Sequence, residues 1–295
     1  MSAEIMDGRK TAEMIRSELK ERVTRLKSAG ITPGLGVVLV GDNPASKTYV
    51  NAKKKACGEI GVFSSDIKLP ADSRQAELIV VIDKLNRDPG IHGILVQLPL
   101  PGHFDESEAL RSINPEKDVD GFHPVNVGRM VLGEKAFMPC TPHGVVQLLV
   151  RYGVKIEGAN VVILGRSNIV GKPLANMLVQ KSAEGNATVT ICHTGTVDMA
   201  DHTRRADIVI VAAGRPGTLT ADMIKDGAVV VDVGINRVRD DTRKSGFRLV
   251  GDVDFDAVKK KASLITPVPG GVGPMTIAML LNNTVESAEQ TAGQL

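Results

Sequence analysis

The 295-residue chain predicts an α/β protein built as two α/β domains, and three observations predict it. Short β-branched runs alternate with helix-length amphipathic segments along the whole length, the repeat of a sheet clothed by helices. Nearly all of these runs are continuously apolar rather than alternating, which suits parallel strands buried on both faces. Six of the ten residues from Pro267 to Thr276 are glycine or proline. No helix interior or central strand tolerates that density, so this segment is a shaped loop whose bare backbone can approach a ligand closely.

The elements follow in order. Thr11 to Ala29 carries the first helical pattern and Leu35 to Val40 the first strand. Asn43-Pro44 starts the next helix, with Asn as N-cap and Pro in the first helical position, and its pattern runs through Lys47 to Ile60. A helix over Arg74 to Asn86 precedes a strand over Gly93 to Gln97. Two prolines bracket Cys140-Thr141 and mark a boundary before a helix over Gly144 to Tyr152. Strands at Asn160 to Leu164, Thr188 to Cys192, Ile208 to Ala212 and Ala228 to Val233 then follow, with a helix over Lys172 to Lys181 after the first. From Pro274 onward the chain reads as one helix, with Ile277, Leu280, Leu281, Thr284 and Ala288 along one stripe. Residues 1–140 plus 274–295 are thereby expected to form one domain and 141–273 an inserted second one. The glycine- and proline-rich loop would lie in a substrate cleft between them, where small-molecule sites preferentially form.

Composition narrows the function. Lys plus Arg number 36 against 34 Asp plus Glu, for a net charge of +2. That balance gives no reason to expect nucleic acid or a membrane surface as partner, and two Tyr without Trp make a poor stacking platform for single strands. Cys57, Cys140 and Cys192 are odd in number, widely spaced and form no CxxC, as expected of reduced thiols in a cytoplasmic protein. The N-terminus has no apolar core of signal-peptide length, and no apolar run approaches the roughly 18 residues that span a bilayer.

The second domain carries a nucleotide signature. Residues 159–174 read as strand, tight turn and helix start. Gly165 permits the turn, and the helix behind it offers free N–H groups and a positive dipole end to a phosphate. Ser167 stands where the dinucleotide fingerprint usually has its second glycine, so the segment alone fits either a dinucleotide site or an ordinary βα turn. Three later strands end in His193-Thr194-Gly195-Thr196, Ala213-Gly214-Arg215-Pro216 and Val233-Gly234-Ile235-Asn236. Together these small and polar ends make a cofactor shelf, and the second domain is of Rossmann type. No acid stands near Thr194 to bind ribose hydroxyls, and Arg166 projects from the first turn. Those two features favour a 2′-phosphate, and hence NADP.

The first domain carries the chemistry. Tyr49 and Lys53 stand i and i+4 on one helix face, which Ala56 and Ile60 continue while Lys54 and Lys55 rotate away. Lys53 is either a snorkelling lysine with a wet amine or an inward-facing reactive one. Gln97 ends an apolar strand where α/β sheets place ligands, or else caps the loop that follows. Lys117-Asp118-Val-Asp120-Gly121 puts two carboxylates two residues apart. No third ligand pattern accompanies them, so a metal is not indicated and an Asx turn accounts for the motif.

Taken together, Tyr49-Val-Asn-Ala-Lys53, Val96-Gln-Leu-Pro-Leu-Pro101, Lys117-Asp-Val-Asp-Gly121, Gly165-Arg-Ser-Asn-Ile-Val-Gly-Lys-Pro173 and Pro267 to Thr276 resemble the bifunctional methylenetetrahydrofolate dehydrogenase/cyclohydrolase family. The motifs occur in that family's order from Asp7-Gly8 to the last helix. The resemblance implies reversible oxidation of 5,10-methylenetetrahydrofolate by NADP, then hydrolysis of the methenyl product to 10-formyltetrahydrofolate. It also implies a homodimer packed through the cofactor domain.

By the same resemblance, Lys53 is the catalytic base, Tyr49 stacks on the folate, Gln97 holds the lysine amine and Asp120 anchors the pterin. Leu98 lines the substrate site, and Pro269, Gly270, Gly271, Gly273, Pro274 and Thr276 cover it. Gly165, Arg166, Ser167, Thr194 and Ile235 line the NADP site. Gly195 departs from the family's frequent basic residue at that position, which leaves Arg166 as the clearest cation. Tyr-x-x-x-Lys also marks short-chain dehydrogenases, but those place the glycine-rich turn before the tyrosine; here Gly165 follows it. A folate- or nucleotide-binding regulatory protein would have no need of the lysine–glutamine pair.

Overall fold

Buried apolar runs with no polar face to offer water become sheet interiors, and in the computed structural model, which describes residues 2–243 and 246–293, they build two parallel sheets. The chain opens with β1 (Glu4–Ile5), α1 (Gly8–Ser28), β2 (Gly34–Val40), α2 (Pro44–Ile60), β3 (Phe63–Leu69), α3 (Gln75–Arg87) and β4 (Gly93–Val96). It continues through α4 (Glu106–Arg111), α5 (Pro124–Leu132), α6 (Cys140–Arg151), β5 (Asn160–Leu164), α7 (Gly171–Val179) and β6 (Thr188–Cys192). Then come α8 (Met199–Arg204), β7 (Ile208–Val211), β8 (Val229–Asp232), β9 (Asn236–Arg239), β10 (Phe247–Val250), α9 (Phe255–Val258), β11 (Leu264–Ile265) and α10 (Val272–Ala292).

The chain divides into two compact units, residues 13–140 with 277–295 and residues 1–12 with 141–276. The first twelve residues thus go with the later segment rather than with the residues that follow them. The cause is β1, which pairs in parallel with β11.

In the 13–140 unit the sheet has three parallel strands ordered β3-β2-β4. β2 is buried along its whole length, and Val38, Val40, Ile94 and Val96 pack on Leu78, Ile82 and Leu85 of α3. The C-terminal α10 adds Leu280, Leu281, Thr284 and Ala288, all fully or almost fully buried. Its Asn282, with Glu289, holds Arg22 of α1. β3 had no counterpart among the strands expected from the sequence. It is an edge strand that alternates in burial, and Ser64, Asp66 and Lys68 give it a wet face.

The other unit holds a six-stranded sheet ordered β1-β11-β8-β7-β5-β6, with every pairing parallel. Val162, Leu164, Val209, Val211 and Val230 form the core of one face. β6 lies on one side of β5 and β7 on the other, so the order reverses at β5. Such a reversal opens a crevice at the carboxyl ends of the strands, where ligands of open α/β sheets bind. The hairpin β9-β10 pairs antiparallel as a separate ribbon. α10 begins at Val272 rather than at Pro274. A proline in the first turn is tolerated there because the first helical N–H groups have no intrahelical partner.

Candidate active site

Of the three consecutive lysines of α2, only Lys53 is buried, at 8% exposure. Lys54 and Lys55 turn outward to Asp66 and Glu59. The Lys53 amine does not snorkel to water; it donates to Gln97 Oε1 at 3.1 Å. Gln97 is held at the end of β4 by its own N–H, which donates to Val38 O at 2.9 Å. Its Nε2 donates to Leu98 O at 2.8 Å, and that bond turns the amide oxygen toward the lysine. Burial pushes the Lys53 amine below the ordinary lysine range, while Asp120, Cys140 and Cys57 oppose the shift. Asp120 keeps part of its surface open, yet its carboxyl is raised by desolvation, with Lys53 pulling it back down. Tyr49 lies one turn before Lys53 on the same helix and is 40% exposed, an apolar ring open to a flat ligand.

The two carboxylates of the Lys117–Gly121 turn do different work. Asp118 is buried and accepts from His123 N at 2.8 Å, Phe122 N at 3.3 Å and Asn126 Nδ2 at 2.9 Å. It closes the turn and is therefore occupied. Lys117 reaches back to the carbonyls of Leu85, Asn86 and Asp88 at the end of α3, and Val119 fills the core. Asp120 is the carboxylate left for the site. Gly121 sits at φ 75°, and a Cβ there would come within 2.6 Å of Pro139 N, so only glycine allows the 137–139 segment to cross at this distance. Cys140 follows that crossing. Its thiol donates to Val119 O at 3.3 Å, and desolvation beside Asp120 pushes it well above the ordinary thiol range. Asn283 of α10 ties the same segment, donating to Val119 O and Met138 O at 2.9 Å each.

In the six-stranded unit, Gly165 adopts φ 130° with a virtual Cβ overlapping Ala212 O, and a Cβ on Gly171 would overlap Gly165 O. Gly165 permits the ends of β5 and β7 to approach closely, and Gly171 permits α7 to pack on the turn. Ser167 replaces the fingerprint's second glycine and acts as a cap: its Oγ accepts from Val170 N at 3.1 Å and Gly171 N at 3.4 Å. These helix N–H groups, expected to face a phosphate, are therefore already engaged. The cation of this turn, Arg166, lies beside them. Arg166 Nη1 is 3.4 Å from His193 Nε2, and His193 Nδ1 accepts from Gly195 N at 3.0 Å. Arg166 and His193 thus lie side by side at the strand ends, a guanidinium and an imidazole that suit a phosphate lying against both. Thr194, Gly214 and Ile235 are exposed at the neighbouring strand ends. These donors and open backbone edges fit a phosphorylated dinucleotide.

The glycine- and proline-rich loop joins this shelf. A Cβ on Gly273 would lie 3.9 Å from Ile235 Cδ1, and Thr276 Oγ1 is 2.9 Å from Thr141 Oγ1. Arg9 N donates to Gly270 O at 3.2 Å, and the Gly8 backbone packs so tightly on Gly271 that a Cβ would overlap its carbonyl. Pro269, Gly270 and Pro274 are half-buried or exposed.

A family model described as tetrahydrofolate dehydrogenase/cyclohydrolase, catalytic domain, matches residues 6–120, and its NAD(P)-binding domain counterpart matches residues 139–292. The chain belongs to this family. The bifunctional protein FolD of Moorella thermoacetica is 57% identical over 290 residues, covering 98% of this chain and 100% of that protein. FolD of Prosthecochloris aestuarii is 57% identical over 286 residues, 96% of this chain and 97% of its own. Among solved structures, the bifunctional FolD of Campylobacter jejuni superposes with a TM-score of 0.93 at 53% identity, covering 98% of this chain and 100% of that one. The Trypanosoma brucei enzyme, complexed with NADP cofactor and inhibitor, gives 0.94 at 44% identity and 99% coverage of both chains.

Within this member of the tetrahydrofolate dehydrogenase/cyclohydrolase family, the structure brings Lys53, Gln97, Asp120 and Cys140 together in one unit. It sets Gly165, Arg166, Ser167, Thr194 and Ile235 along the strand ends of the other, with Gly273 beside Ile235. Sequence reasoning missed Cys140, Asn283 and His193. Cys140 and Asn283 carry no local signal, because only the fold brings them to Asp120. His193 had one: it directly precedes Thr194 at the end of a strand already assigned to the shelf.

Proposed function

We propose that Lys53 is the proton-transferring residue of a one-carbon centre in this bifunctional enzyme, which oxidises 5,10-methylenetetrahydrofolate and hydrolyses the methenyl product to 10-formyltetrahydrofolate. The observation that carries the reading is a lysine amine held in the interior by a neutral amide oxygen and shifted by burial toward its neutral form. NADP, when bound on the shelf of Arg166, Ser167, His193, Thr194 and Ile235, supplies the hydride acceptor.

Loss of hydride leaves a delocalised cation on the folate bridge. A permanent ammonium beside that cation would oppose it, whereas an amine does not. In hydrolysis, Lys53 takes a proton from water as its oxygen bonds to the bridging carbon. The hydroxyl so formed gives up its proton as the carbon–oxygen double bond forms and the carbon–N5 bond breaks; N5 keeps the electron pair and takes a proton, the formyl group stays on N10, and one proton is released overall. Gln97 Oε1 engages one lysine N–H and so directs the lone pair elsewhere, toward the substrate in this reading. Asp120 anchors the pterin, because a carboxylate accepts two bonds from adjacent ring N–H donors. Tyr49 stacks on the folate and Leu98 lines its site. The family resemblance gives Pro269, Gly270, Gly271, Gly273, Pro274 and Thr276 the role of its cover.

We read residues 13–140 with the C-terminal helix as the folate-binding catalytic part and the six-stranded unit as the NADP-binding part. A cytoplasmic homodimer packed through the latter completes the reading. Three free, buried cysteines support a reducing compartment, and among the described residues no helix is long and apolar enough to cross a membrane.

The test is spectroscopic. With methylenetetrahydrofolate and NADP the protein forms NADPH, and it accelerates the loss of methenyltetrahydrofolate absorbance. Lys53→Met abolishes that hydrolysis more severely than it weakens folate binding. Equal hydrolysis by variant and parent removes Lys53 from the mechanism.

A further inference from the structure

The cofactor shelf rests on a buried pair of carboxylates that neither activity uses directly. Asp252 is fully buried and accepts five contacts, one of them from Leu219 N to its main-chain oxygen at 3.3 Å, from elements that lie apart in sequence. Its Oδ2 takes Ala213 N and Gly214 N, both at 2.7 Å, at the end of β7. Its Oδ1 takes Asn236 Nδ2 at 2.8 Å, next to Ile235 at the end of β8. Its main-chain oxygen takes Thr218 N at 2.7 Å. Asp232, the last residue of β8, holds Asp252 in turn: its Oδ1 accepts from Asp252 N and Gly234 N at 2.9 Å, and its Oδ2 from Val253 N at 3.0 Å. A Cβ on Gly234 would overlap the Asp252 carboxyl, and one on Gly251 would overlap Asp232, so the local sequence is fitted to the two acids.

Burying a carboxylate is costly unless its oxygens are hydrogen-bonded. Here backbone donors from two strand-end loops satisfy Asp252, and in doing so they are fixed relative to each other. With those N–H groups turned inward, Ala213, Gly214 and Ile235 keep their other faces exposed at the carboxyl ends of the parallel strands. We propose that Asp252 is a positioning residue of the dinucleotide site, acting through the Ala213–Gly214 backbone and Asn236 to hold two loops of the shelf in register for NADP. The proposal rests on the NADP reading of that shelf. Asp252 is an acceptor only, and that is why aspartate is needed: an amide would turn a donor toward donors.

The two activities provide the experiment. NADPH affinity is measured by fluorescence titration in the parent, Asp252→Asn and Asp252→Ala, alongside nucleotide-free hydrolysis of methenyltetrahydrofolate and thermal melting. NADPH binding is expected to weaken on the order of tenfold in Asp252→Asn and more in Asp252→Ala, the range for losing bonds to a charged acceptor. Hydrolysis, which depends on Lys53 in the other unit, stays within about twofold, because sites without shared partners act nearly independently. In a variant that keeps a cooperative melt, an equal loss of both functions would mark a general structural role, and that outcome overturns the proposal. So does unchanged NADPH affinity in a folded variant.

Asn236→Ala, which removes the bond to Asp252 Oδ1 and the 3.2 Å bond to Gly251 O but leaves the Ala213–Gly214 contacts in place, decides the matter if the Asp252 variants do not fold. Weaker NADPH binding with hydrolysis kept supports the proposal, and unchanged affinity refutes it. A parent protein that binds no NADPH would instead sink the cofactor reading, and the positioning role with it.

Discussion

Gln97→Glu tests the Lys53 centre through its electrostatics at almost constant shape. Gln97 Oε1 lies 3.1 Å from Lys53 Nζ, so the exchange puts a negative oxygen where a neutral one stands. An opposite charge within about 4–6 Å moves a pKa by roughly 1–3 toward the charged form. For lysine that direction is upward, against the desolvation that holds the amine low. The amine needed for water attack then appears only at higher pH. On the acidic limb of the hydrolysis profile, the rate at fixed pH should fall about tenfold for each pH unit the limb moves, so roughly 10- to 1,000-fold in all. It should recover toward the parent plateau as pH rises. Gln97→Ala acts oppositely. It removes an acceptor that favours the ammonium, leaves burial unopposed at this contact and moves the limb to lower pH.

The assay is methenyltetrahydrofolate hydrolysis across pH, with melting temperature as the control for folding. Two substitutions at one position that displace a limb in opposite directions cannot both arise from partial unfolding. Superimposable profiles for parent and Gln97→Glu, with both proteins folded, would show that the lysine charge does not govern hydrolysis, and the assignment of Lys53 as base would fall.

Other consequences follow from the same geometry. Lys53→Met should stabilise the protein while it destroys hydrolysis, by about 0.5–2 kcal/mol, as for other stabilising replacements at functional sites. Between its folded-state pKa and the ordinary 10.5, the lysine binds fewer protons folded than unfolded, so parent stability rises with pH across that window. The advantage of methionine in denaturant melts should therefore be largest below the folded-state pKa and fade toward pH 10.5. Gly121→Ala should lose about 1–3 kcal/mol or more in the same melts, from a positive φ and a forced overlap with the 139 backbone. A raised folate KM should accompany that loss as Asp120 shifts. Arg166→Ala should weaken NADP binding by about tenfold or more and narrow the preference over NAD, because a charge-assisted phosphate bond is lost. His193→Gln should do so less, and equal NADP and NAD affinities in the parent would remove both residues from phosphate recognition.

What the sequence disclosed depended on whether the relevant physics is local. β5 and β7 are legible because a strand buried on both faces has to be continuously apolar, and Val161 to Leu164 can be little else. β3 is not, since an edge strand with Ser, Asp and Lys on its wet face looks like a loop. β1 and β11, two residues each, have no periodicity at all. Yet β1 decides to which unit the N-terminus belongs. The inward face of Lys53 is legible because i, i+4 spacing with apolar partners fixes a helix face, whereas the burial of its amine is not, since a snorkelling lysine has the same spacing. The division of labour between Asp118 and Asp120 is not, because a D-x-D string is symmetrical until Asn126 and the 122–123 amides select one of them. Asp252 lies furthest from view. Its partners at 213–214 and 236 become neighbours only through the order of the parallel strands.

In the proposed mechanism, opposing pulls on Lys53 would let one residue attend both reactions. Burial favours the amine and is the largest influence on it, while the Asp120 carboxylate pulls the other way. The methylene substrate brings no charge on its bridge and leaves that balance alone. Oxidation then creates a cation on the same bridge, and a nearby positive charge pushes a lysine toward its neutral form. The product of the first step thereby promotes formation of the base that the second step requires. A deeper burial with no acid beside it would keep the amine neutral throughout, but would make it a poorer acceptor for the proton taken from water. An exposed lysine would stay charged and repel the cation. Asp120, itself raised by burial and lowered by Lys53, would supply the opposing pull in that scheme, so its loss should leave the lysine less basic.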